Sequence, residues 1–155
     1  MIQDNDFKMP LATLLGEAFG ALETDSGFFM DNGQNGLLGV LSEVDAATAS
    51  AASHPKNATI ASHAAHVLYV IDLFLAHEQG EHPRADWEAA WRERAVTDSA
   101  WAKLRSDLHA RYAEVMRRLD RRTDWSGQAA GAWMMLLAHV SYHVGEIRQM
   151  RTALA

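Results

Sequence analysis

The stretch Trp133-Met134-Met135-Leu136-Leu137-Ala138-His139-Val140-Ser141-Tyr142-His143-Val144-Gly145-Glu146-Ile147 decides the fold. Within it Trp133, Leu136, Val140, His143 and Ile147, continued by Met150 and Leu154, recur at intervals of 3, 4, 3, 4, 3 and 4. A helix turns by about 100° per residue, so this spacing keeps all seven on one stripe, the seam of a helical bundle. One member of the seam is an imidazole. His139 stands one turn before His143, and i,i+4 spacing projects both rings from nearly the same face. Two rings so placed can reach one ion, as on the helices of zinc proteases.

Two ligands on one helix cannot close a site, so a second helix must contribute. Thr59-Ile60-Ala61-Ser62-His63-Ala64-Ala65-His66-Val67-Leu68 supplies two further histidines, followed by the apolar Val70, Ile71 and Phe74. A buried imidazole needs a partner for each ring nitrogen. The choice between His63 and His66 stays open on spacing; the 3, 4, 3, 4 run Ile60, His63, Val67, Val70, Phe74 slightly favours His63. The other histidines read as ordinary surface. His77-Glu78-Gln79-Gly80-Glu81-His82 has three residues between Glu78 and His82 where a zinc-protease motif has two, and Gly80 and Pro83 break the helix. It is a polar helix end, and His54 and His109 have no companions. Gly33, Gly36 and Gly39 lack the strand–turn–helix setting of a nucleotide loop and read as a turn.

The rest of the chain is helical too. Pro10 reads as a first-turn proline ahead of Leu11, Leu14, Leu15, Ala18 and Leu22. Asp31 to Gly36 is a loop, and Leu37 to Val44 a short helix or a continuation of the first. The Ala/Ser stretch up to Ser53 carries little signal, and His54 to Asn57 is a turn. A strong helix runs from Thr59 to about Gln79, and Gly80 stops it. Pro83 and Asp86 open a short amphipathic piece with Trp87 and Trp91. Thr97 caps a long helix striped by Trp101, Leu104, Leu108, Tyr112, Val115 and Leu119, and Asp124 or Ser126 caps the last. No alternating β-branched window and no repeat appears. The fold class is all-α: a four-helix bundle with short helical insertions. The tryptophans read mainly as core, and Gly27-Phe28-Phe29-Met30 as a candidate pocket rim.

The chain has 155 residues, 48% apolar and 22% charged, which suits one domain spanning 1–155 and large enough for a real core. The absence of Cys removes disulfides, thiolate metal cages and Cys nucleophiles, so any metal must be held by His, carboxylate or backbone oxygen. A net charge of −6 argues against nucleic acid, whose affinity needs many neutralised phosphates. The one basic patch, Arg117, Arg118, Arg121 and Arg122, sits near a helix C-terminus, where cations suit the macrodipole. The N-terminus is acidic and polar, unlike a signal peptide, and the apolar run Ala129 to Ala138 is about half a membrane span. The expectation is a cytoplasmic protein without membrane or nucleic-acid partners.

Ala138 to Gln149 resembles the C-terminal signature of the DinB/YfiT-like superfamily, in which a His-x-x-x-His pair is followed by Gly and an Ile-containing turn. Ala58-Thr59-Ile60 leading into Ala65-His66-Val67 resembles that family's second-helix signature, and Leu37 to Val44 its early leucine-rich segment. The resemblance covers most of the chain, with the two His blocks its specific part. It implies a DinB-like bundle and a metal site of His66, His139 and His143, with His63 as neighbour or alternative ligand. Glu146, where many relatives carry Gln, is a departure that would stand behind the ligands or add one; Asp72 is another candidate acceptor behind them. An all-imidazole set suits zinc and nickel, with iron a further option. The resemblance suggests a metal-dependent thiol S-transferase, since relatives include thiol transferases and a mycothiol-dependent isomerase. A low-molecular-weight thiol would then be a cofactor. The alternatives are a non-catalytic metal or small-ligand binding module, of stress-related role, and a metal-dependent hydrolase. A homodimer is expected on the same ground.

Overall fold

The computed structural model describes residues 4–20, 27–30, 36–52 and 58–154. Its helices are α1 (Asp4–Phe19), α2 (Leu37–Ser42), α3 (Ala46–Ser50), α4 (Ile60–Glu78), α5 (Asp98–Arg121) and α6 (Gly127–Leu154), with a 3-10 turn at Ala89–Trp91 and no strand among the described residues. The four long helices form the bundle. α1 and α4 each pack on both α5 and α6, while α2 fits against α1, α5 and α6. The short elements are insertions, as the sequence suggests. α4 alone among the described helices is long and apolar enough to cross a membrane, and most of it is buried in the bundle.

Periodicity places the core. Trp133, Leu136, Val140, His143 and Ile147 are all buried along α6, and Trp101, Leu108, Val115 and Leu119 along α5. Each such aliphatic side chain contributes roughly 1.5–3 kcal/mol on leaving water. Starts are set by hydroxyls. Thr59 accepts from the Ser62 amide while the Ser62 side chain accepts from the Thr59 amide, a reciprocal capping box. Thr97 caps α5, and Ser126 accepts from Ala129 at the start of α6.

One expectation shifts, and two open points are filled in. α1 begins at Asp4, so Pro10 lies inside the helix rather than in its first turn. An interior proline removes one helical hydrogen bond; here Pro10 is exposed, while Phe7 against Trp125 and buried Leu11 and Leu15 hold the helix on both sides of it. The Ala/Ser stretch forms α3, because the Asp45 carboxylate caps it by accepting from Thr48 at 2.7 Å. α2 is a separate helix, and α1 stops at Gly20, whose φ of 74° is open to glycine at little cost. Leu22, the loop from Asp31 and the turn at His54 to Asn57 lie outside the described residues.

The segment joining α4 to α5 folds back along α4. Asp86 donates its amide to the Tyr69 hydroxyl at 2.7 Å, and the Arg94 carbonyl accepts from the Thr59 hydroxyl at 2.9 Å. Between these two pins the Asp86 carboxylate accepts from Ala89 and starts the 3-10 turn that ends in Trp91. The tryptophans therefore divide. Trp101 and Trp133 are core, whereas Trp87 and Trp91 stand at the surface over α4.

Candidate metal centre

Four imidazoles meet where the first half of α4 packs against the middle of α6. His63, His66 and His143 are buried, and His139 is half-buried. One ring nitrogen from each of His66, His139 and His143 lies within 4.8 Å of the other two. Ring centroids are 5.1 Å apart for His66 and His139, 4.9 Å for His66 and His143, and 4.5 Å for His139 and His143. Zinc–nitrogen bonds of 2.0–2.1 Å in a tetrahedral site set ligand nitrogens about 3.4 Å apart.

The hydrogen-bond inventory supports a ligand set. His66 Nδ1 and His139 Nε2 are buried without any hydrogen-bond partner. An unpaired buried polar nitrogen costs about 1–3 kcal/mol, so two in one cluster are informative. Burial also lowers the proton affinity of all four rings. His143 is pushed down to about 3 by burial and then by the neighbouring His139, His63 and His66. His66 falls to about 4 for the same kind of reasons, with an Ala90 backbone hydrogen bond opposing the shift. His139 falls through burial, and His63 through burial opposed by the Glu146 charge. At neutral pH the cluster is uncharged and its lone pairs are free of protons, the condition for metal ligation.

His63 has a different position from the other three. Its Nδ1 lies 2.9 Å from His143 Nδ1, so one of the two donates to the other. If His143 ligates through Nε2, its Nδ1 must carry the proton and His63 must accept it. Spacing alone slightly favours His63 as the ligand; the geometry groups His66 with His139 and His143 and sets His63 behind His143. Trp91 roofs the cluster, stacked on His66 with centroids 4.1 Å apart and 18° between planes and edge-on to His63 at 5.2 Å.

The other candidates lie elsewhere. Glu146 is exposed, outside the three-imidazole group, and its charge reaches His63. Asp72 is paired with Arg111 of α5, so it does not orient a histidine. Arg117 and Arg118 pair with Glu114, and Arg122 with Glu78. His109 is exposed, and His54 lies outside the described residues. Gly27 to Met30 is fastened to α1. The Glu17 carboxylate, fully buried on α1, accepts the amides of Phe28 at 2.8 Å, Phe29 at 2.7 Å and Met30. A single glutamate among apolar helix positions gives no warning of this role.

The sequence model of the DinB superfamily matches residues 30–147, and the chain belongs to that superfamily. No curated protein and no solved structure matches it.

Proposed function

We propose that this DinB-superfamily protein is a metal-dependent thiol S-transferase, with His66, His139 and His143 as the ligands of a divalent transition metal. The observation that carries the reading is that His66 and His139, each with a buried, unpartnered ring nitrogen, are grouped with His143. Three neutral imidazoles leave an ion its full charge and open coordination positions. When bound, such an ion supplies Lewis acidity that holds a small-molecule thiol as thiolate at neutral pH, the nucleophile for attack on an electrophile.

The chain's own residues supply the setting. His63 fixes the tautomer of His143, and Trp91 covers His66 and limits water on that side. With no Cys in the chain, the sulfur nucleophile must come from outside. The three-imidazole set suits zinc or nickel, and also iron. The proposal includes a homodimer, supported by Met134 and Tyr142, which stand exposed along α6; sedimentation velocity measures it.

Elemental analysis of protein purified without a His tag, followed by assay of small thiols with a chromogenic electrophile, tests the reading. Near-stoichiometric metal and a metal-dependent, thiol-dependent rate are expected. Metal without turnover favours a binding module instead, a thiol-independent rate favours metal-assisted hydrolysis, and absence of metal after reconstitution with zinc, nickel and iron overturns the site.

A further inference from the structure

A cleft of about 590 Å³ runs away from His139 between α4 and α6, within the size range of small-molecule sites. The two helices are antiparallel here. On α6 the lining runs from His139 back to Gln128, eleven residues or roughly 16 Å at 1.5 Å per residue, and on α4 it runs from Val70 to Glu78.

Its lining changes along that length. At one end stands His139, with its unpartnered Nε2. The middle is apolar: Val70, Leu73 and Phe74 face Ala129, Ala132 and Met135, and the two alanines hollow the trough. Trp87 and Met135 leave large apolar surface exposed there, 58% and 48% of each residue. The far end is polar, with His77, Glu78, His82, Arg122, Asp124 and Gln128.

The charge at the far end selects the kind of head group. Arg122 already pairs with Glu78, both mostly buried, and donates its Nε–H to the Asp124 carbonyl at 2.8 Å. With the Asp124 carboxylate counted, formal charge there is negative, which disfavours a further anion. The two imidazoles, Gln128 and the remaining guanidinium N–H groups offer donors and acceptors together, which suits an amide or hydroxyl.

We propose that this cleft binds an elongated amphipathic small molecule: a metal-binding terminus at His139, an apolar stretch of about a dozen bonds over Ala132 and Phe74, and an uncharged amide or hydroxyl head at Arg122 and His77. The placement of the first terminus rests on the metal reading above; the apolar stretch and the head do not.

The test is calorimetric titration of the zinc-loaded protein with ω-mercaptoalkanamides of two to eleven methylenes, beside carboxylate- and methyl-ended thiols of equal length. Affinity should rise about fourfold per fully buried methylene and level off near ten. The amide should bind at least fivefold tighter than the carboxylate. Ala132→Trp, which fills the trough, should erase the length dependence while keeping zinc and the shortest thiol. Met135→Glu, at a half-exposed position, should do the same without a packing change. In metal-free protein, alkanamides with a methyl in place of the thiol should show the same increments at lower affinity. If the increments survive there while zinc fails to bind, the metal reading falls and the cleft stands. Affinity independent of length in both forms, or a length dependence that both variants preserve, overturns the proposal, and a preference for the carboxylate overturns its head group.

Discussion

Among the described residues a buried carboxylate and a buried imidazole cluster are treated in opposite ways. Glu17 is fully buried, yet its carboxylate accepts three backbone amides. Burial pushes its proton affinity up, and the Met30, Phe29 and Phe28 amides together outweigh that and hold it below the ordinary range. The imidazole cluster is also buried, but two of its nitrogens have no partner and all four rings are pushed toward the neutral form. A buried polar group whose bonds are complete fastens the chain to itself. One whose lone pairs converge unpaired is suited to something from outside. The first is architecture, and the second carries the functional reading.

Substitutions at the two places should therefore separate stability from binding. His143→Ala removes a ligand nitrogen and should weaken zinc binding about a thousandfold, roughly 4 kcal/mol, measured by competition with a chromophoric chelator. Its metal-free stability should change far less than its affinity; the reverse result would make the cluster a core network. Glu17→Ala should do the opposite. Three amides lose their acceptor, so urea denaturation should show a loss of about 3 kcal/mol with zinc affinity per folded molecule retained.

His63→Ala leaves the ligand set intact and removes what holds the His143 tautomer. Zinc affinity should fall about 10- to 100-fold, and His63→Gln, which keeps an acceptor, should recover part of it. Equal affinities in wild type and His63→Ala would remove His63 from the site.

Acid should take the two regions apart in sequence. Unfolded imidazoles bind protons near pH 6.5, but folded His66 and His143 resist until about 4 and about 3. The unfolded state therefore binds more protons below 6.5, and metal-free stability should decline as pH falls from there toward 3. Glu17, with a lowered proton affinity, contributes stability that is complete above its ordinary value of 4.5 and is lost only below it. The decline between pH 6.5 and 4.5 should shrink in His143→Ala and persist in Glu17→Ala, as read from denaturation midpoints. The smallest effect is at the cap: Thr59→Ala should cost about 1 kcal/mol and loosen the Arg94 attachment near the site.

The same contrast explains how much the sequence discloses. The α6 seam with His143 inside it is visible because helical period and burial coincide, and Thr59 and Thr97 mark their helices because a cap is a local bond. Local spacing ranks His63 slightly ahead of His66, against the grouping of His66 with His139 and His143. Three residues apart, they differ by about 60° around α4, and both are buried. Their surroundings are set by α6 and by Trp91, which come from elsewhere in the chain. Glu17 is silent for the same reason, because its partners are backbone amides that leave no mark in residue identity. Pro10 misleads in the other direction, as its preference for a helix start is overridden by packing on either side of it.

The three converging imidazoles belong to helices far apart in the chain, and this has a consequence for how the molecule would endure stress. An ion shared by His66 on α4 and by His139 and His143 on α6 would close a loop of roughly seventy residues, a cross-link of the length at which restricting the unfolded chain has a large effect. In a chain without Cys that staple has no disulfide to be reduced or scrambled, yet chelators release it, as does acid strong enough to protonate the rings. Its endurance would follow the supply of metal rather than the redox state of its surroundings.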